Sequence, residues 1–224
     1  MDHIKHTFTY PVLVLLGLIL LADAGFIFAH LLHKLDIVSH PHFLLTRDRS
    51  YSEVFQYIKE FWIACLFLLI ALRTRAIIYV AWSLIFLYLL ADDSLGLHES
   101  VGGLLVRFFE IPRAFGLRGQ DFGELLVTAI AAGILFSFLF IAYYFASQVS
   151  RKNTHYLLAL VAGIGFFGVF VDMVHQIVPW GKSLFGLIED GGEMVIMSLV
   201  LGYCLALVFR YMPADAQKAP VAAS

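Results

Sequence analysis

YPVLVLLGLILLADAGFIFAHLL, running from Tyr10 to Leu32, is the stretch whose reading decides the fold. With Lys5 before it and Ala22-Asp23-Ala24 inside it, it imitates a cleavable signal peptide. Its apolar run is too long for a signal core, however, and matches the roughly 20 residues that an α-helix needs to cross a bilayer. We read it as a retained first span. Five more segments of similar character follow, at about Val54–Leu72, Ile77–Leu97, Phe122–Ala146, His155–Val178 and Leu184–Tyr211.

Composition agrees. Of the 224 residues, 61% are hydrophobic and 14% charged, against roughly a quarter charged in a soluble domain. A water-soluble core could not absorb this much apolar side chain. The predicted fold is therefore all-α, an integral membrane bundle of six transmembrane helices. An interfacial helix lies between spans 3 and 4, where Gly102-Gly103, Val106-Arg107-Phe108-Phe109 and Pro112 mix aromatic and basic residues. Residues 1–211 form a single transmembrane domain and 212–224 a disordered cytoplasmic tail. A net charge of −2 offers no basic field for nucleic acid. Cys65 and Cys204 each sit mid-way along an apolar run, so neither a disulfide framework nor a cysteine zinc site is expected.

Basic residues in short turns set the orientation. Arg73 and Arg75, Arg151 and Lys152, and Arg210 fall on one side together with Lys5. This places both termini in the cytoplasm of a bacterial cell, with the chain multi-pass in its inner membrane.

The ionisable residues inside the spans gather at the opposite side. They include Asp23 and His30, Glu53 and Glu60, Asp92, Asp93, His98 and Glu99, Glu124, Asp172 and His175, and Glu189, Asp190 and Glu193. Asp92, Asp93, Asp172, Glu189, Asp190 and Glu193 together would cost on the order of 10–20 kcal/mol if ionised and unpaired. Lys59 is the lone Lys or Arg well inside these polar segments. A metal, protons or water must balance the deficit. The ligand types favour metal, because helical di-metal carboxylate sites combine Glu residues with Glu-x-x-His pairs. Asp172-x-x-His175 copies that spacing. The expected ligands are Asp92, His98, Glu99, Asp172, His175, Glu189 and Glu193, with Glu193 and Asp190 as catalytic carboxylates. Two iron or manganese ions suit the oxygen-rich set; zinc suits a nitrogen-richer one. Asp23 and His30 read as a hydrogen-bonded structural pair. Glu60 is open between a supporting role at the metal and pairing with Lys59. His98 can join Asp93 at one centre if the helix distorts at Gly96 or near Gly102-Gly103.

Asp92-Asp93-Ser94-Leu95-Gly96-Leu97-His98-Glu99 and Glu189-Asp190-Gly191-Gly192-Glu193-Met194 resemble motifs of a loose group of uncharacterised bacterial membrane proteins. Their pattern is acidic-acidic-x4-His-Glu, later acidic-acidic-x-x-Glu-Met, and it implies no activity. The chain is more loosely similar to the ceramidase-like membrane hydrolase superfamily, whose Asp and His residues hold zinc at one membrane face. It lacks the His-x-x-x-His pair of that group. The functions to weigh are a metal-dependent membrane oxidoreductase acting on a lipid, quinone or other amphiphile at the extracytoplasmic face, and a zinc-dependent hydrolase. An accessory metal-binding subunit of a larger membrane complex and a metal or proton transporter are further alternatives.

Overall fold

The computed structural model describes residues 9–178 and 180–212. Residues 213–224 of the tail expected at 212–224 lie outside the described residues, as do Lys5 and Pro179. Six helices are long and apolar enough to cross a membrane: α1 Tyr10–Lys34, α2 Tyr51–Thr74, α3 Ile77–Leu95, α5 Gly119–Tyr144, α6 Gln148–Ile177 and α7 Lys182–Tyr211. The short α4, Leu97–Phe109, lies between the third and fourth of them, and no strand is formed among the described residues. This is the architecture of a multi-pass membrane protein.

Local chemistry fixes the boundaries. Ser50 caps α2 by accepting the Glu53 backbone N–H at 3.3 Å, and Ser147 caps α6 by accepting that of Ser150 at 3.2 Å. The chain therefore becomes helical several residues before the apolar runs begin. Gly96, with φ +60°, ends α3 and redirects the chain into α4. That φ is ordinary for glycine and strained for most other residues.

The central helices are α2, α3 and α7; the shell is α1, α5 and α6. Helix α2 packs on α3 and α7, α3 carries α5, and α7 carries α1 and α6. Helices α5 and α6 are consecutive, yet they make no substantial contact along their lengths. At the end carrying the Arg-rich turns Arg151 of α6 donates to the Tyr143 (3.1 Å) and Tyr144 (2.6 Å) carbonyls of α5, and a polar clasp ties α6 to α3 and α7. Asn153 Nδ2 donates to the hydroxyls of Tyr79 (2.9 Å) and Tyr211 (3.2 Å). Tyr203 donates back to Asn153 Oδ1 (3.2 Å), and Trp82 Nε1 donates to Thr154 (3.2 Å). Beside the clasp, Phe67 stacks on Tyr79 and Phe86 in the aromatic core. Toward the acidic end a cavity separates α5 from α6.

Helix α4 braces α5 through two glycines. A Cβ on Gly102 would stand 2.7 Å from the Glu124 amide nitrogen, and one on Gly123 would stand 2.5 Å from the Gly102 carbonyl oxygen. Both obstacles are backbone, which cannot rotate away. Gly123→Ala is expected to destabilise the protein by about 1–3 kcal/mol through overpacking, read by chemical unfolding in mixed micelles. Gly133→Ala, where an added Cβ meets nothing within 4 Å, serves as the control.

Candidate metal centre

The π-helical turn Phe166–Val171 within α6 sets the aim of the residues after it. A wider turn inserts one extra residue into the helical register, and such bulges are frequent at functional sites. Gly168 lies in this turn, and a Cβ there would overlap the Glu193 carboxyl group. Beyond it Asp172 and His175 share one side of the last turn. His175 Nδ1 lies 2.9 Å from Glu189 Oε2 on α7. Among the described residues, Asp172, His175 and Glu189 form the set of three whose ligand atoms all lie within 4.8 Å of one another. All three are half-buried. Gln176 Nε2 donates to Asp172 at 3.3 Å. If His175 Nδ1 donates to Glu189, its Nε2 is left free with a lone pair.

Asp92 and His98 form a separate pair. Asp92 accepts the His98 backbone N–H at 2.9 Å and lies 3.0 Å from its Nδ1. The hydrogen bond that His98 makes to the Asp92 carboxylate, acting against burial, raises the imidazole pKa above its ordinary value. The turn at Gly96 makes this contact possible. The same turn puts Asp92 and Glu99, both expected as ligands, on different helices. Glu99 is exposed; its carbonyl accepts Gln120 Nε2 at 2.9 Å.

The two groups border one cavity of about 720 Å³, lined at its polar end by Asp92, His98, Asp172, Glu189 and Glu193. Its deeper walls are Leu135 and Phe136 of α5 facing Leu158 and Val161 of α6. The cavity thus lies between those helices. A smaller cavity of about 210 Å³ lies alongside, lined by Asp48, Glu53 and Asp190. Asp93, His98 and Glu193 contribute to both, so the surface Glu193 keeps is turned inward.

The expected pairing of Asp23 with His30 is replaced. Asp23 does not meet His30: it accepts Lys59 Nζ at 3.2 Å and the Ser198 hydroxyl. His30 Nδ1 instead accepts the Leu45 backbone N–H at 3.0 Å. Lys59 also donates to the Met194 carbonyl (2.8 Å) and to Ser198 (3.1 Å). Its three protons are thus committed away from Glu60. Glu60 is fully buried, and its oxygens meet no amide, hydroxyl or ammonium donor; its carboxyl lies beside that of Asp93. Sequence reasoning gave Lys59 no fixed partner. The signal was present in the spacing, since Asp23 and Lys59 are the acid and base that antiparallel α1 and α2 can bring to one depth.

Neither a curated protein nor a solved structure matches the chain. A family model described as Domain of unknown function (DUF8692) matches residues 12–208, and the chain belongs to that family.

Proposed function

We propose that this protein is a membrane metalloenzyme that holds one divalent metal at Asp172, His175 and Glu189 and acts on an amphiphile in the adjoining cavity. The observation that carries the reading is the convergence of those three donors beside a cavity whose far walls are apolar. One imidazole and two carboxylates suit zinc, iron or manganese and leave positions open for water and substrate. A single ion fits better than the pair expected from the sequence, because Asp92 directs both carboxylate oxygens to His98. That favours hydrolysis by metal-activated water over two-metal oxidation. Asp190 lines the polar cavity and lies in the field of Glu189 and Asp172. The amphiphile enters from the lipid between α5 and α6, where the cavity separates the helices. The chain resides in a bacterial inner membrane with both termini cytoplasmic and the centre toward the extracytoplasmic side, as the Arg-rich turns direct.

Transport is disfavoured by the clasp of Asn153, Tyr79, Tyr203 and Tyr211, which closes the opposite half of the bundle. Elemental analysis of purified protein tests the proposal. Wild type is expected to retain about one equivalent of metal and His175→Ala to lose it, since removing one of three protein donors strips most of the affinity. Metal-free wild type, or full retention by His175→Ala, would sink the assignment.

A further inference from the structure

We infer that the amphiphile carries a primary ammonium head group, held by Glu60, Asp93 and Glu193. This deepens the preceding reading and rests on it for the apolar part of the ligand. The three carboxyls come from α2, α3 and α7 and are electrostatic neighbours of one another. All three line the large cavity. Glu60 is the decisive member: it is 0% exposed, it lines that cavity, and its oxygens meet no amide, hydroxyl or ammonium donor of the bundle, their polar neighbour being the carboxyl of Asp93. Buried carboxylate oxygens without such donors are rare and costly, so a ligand that supplies donors there is strongly favoured.

The protein itself supplies no such cation. Lys59 is consumed by Asp23, Met194 and Ser198. Arg118, the lone Lys or Arg among the described residues lining the cavity, is bound to Asp121 at 2.6 Å. A phosphate or sulfate head would meet Glu60, Asp93, Glu99, Glu124 and Glu193 with no free positive charge opposite it.

Geometry separates an ammonium from a second metal. A divalent ion holds oxygens at roughly 2.0–2.6 Å and draws them within about 5 Å of one another. Among the described residues, Glu60, Asp93 and Glu193 do not form a cluster that tight. An ammonium reaches each carboxylate at about 2.8 Å through three divergent protons, so it bridges oxygens spread more widely. Behind the three carboxyls, Leu135, Phe136, Leu158 and Val161 line a path that takes an alkyl chain. The ligand class is accordingly a long-chain primary amine.

The test is equilibrium binding of radiolabelled tetradecylamine to full-length protein in phosphatidylcholine nanodiscs, with empty nanodiscs as the blank and metal measured on the same samples. Saturable binding is expected, displaced by unlabelled amine and not by tetradecanol, tetradecyl phosphate or tetradecyltrimethylammonium. Glu60→Gln and Glu193→Gln should each weaken it about tenfold or more, as loss of a charge-assisted hydrogen bond does. Wild type stripped with EDTA should bind within twofold of the metal-loaded protein. Equal displacement by tetradecanol would overturn the inference. So would unchanged affinity in a folded Glu60→Gln or Glu193→Gln protein, or loss of a metal equivalent from either. Metal-free wild type defeats the metalloenzyme reading yet leaves the amine titration readable, whereas metal-loaded protein that ignores the amine defeats this inference alone.

Discussion

Lys59→Met is expected to destabilise the protein by about 3–5 kcal/mol, the range found when one partner of a buried ion pair is removed. Lys59 lies on α2 with no exposed surface. Its ammonium donates to Asp23 of α1 and to Met194 and Ser198 of α7, and it sits 5.1 Å from the centre of the Phe55 ring. One side chain therefore pins a peripheral helix to two central ones. Without it Asp23, 1% exposed, keeps a single hydroxyl for a full negative charge. Lys59→Met combined with Asp23→Leu removes both charges and should recover most of the loss, because apolar replacement of a whole buried pair is often neutral or stabilising. Chemical unfolding in mixed micelles measures both variants. A Lys59→Met loss under about 1 kcal/mol, the scale of an exposed pair, would show that the pair is solvated and the pin unimportant.

The residue beside it shows why the site was partly legible in the sequence. The deficit of cations near one rim could be counted from composition alone, and the six spans followed from their apolar length. The assignment of the one available cation could not. Spacing along a single helix suggested Asp23 with His30, two turns apart. A charged ammonium arriving from α2 competes better for a buried carboxylate than a neutral imidazole does, and that contact is set by the packing of α1 against α2 and α7. Asp172-x-x-His175 was visible because three residues of helix put two ligands on one side, and Glu189 was visible from its depth on the next span. Their separation from Asp92 and His98 was hidden in the angle at Gly96, a matter of backbone direction after a left-handed residue. The π-turn at Phe166–Val171 was hidden more completely. Its sequence, Phe-Phe-Gly-Val-Phe-Val, reads as lipid-facing packing. Gly168 gains meaning when the Glu193 carboxyl is seen to occupy the space its side chain would fill.

Glu60→Met should move stability in the opposite direction from Lys59→Met, although the two residues are adjacent in the chain. Glu60 brings two buried oxygens that meet no amide, hydroxyl or ammonium donor into a region already occupied by Asp93 and Glu193. An unsatisfied buried polar group costs about 1–3 kcal/mol, and methionine matches the volume with none of that penalty. Ligand-free Glu60→Met is therefore expected to be about 1–3 kcal/mol more stable than wild type to chemical unfolding. Such a gain marks a group whose cost is offset only when a ligand is bound. The double variant with Lys59→Met then discriminates between two arrangements. If Lys59 serves Asp23 alone, the two effects add to within about 0.5 kcal/mol. If Lys59 also neutralises Glu60, removing the carboxyl alone leaves the ammonium under-compensated, and the gain turns into a loss. A destabilised Glu60→Met protein would mean that Glu60 already has its partner within the bundle, and the cavity would lose the group that calls for a cationic ligand.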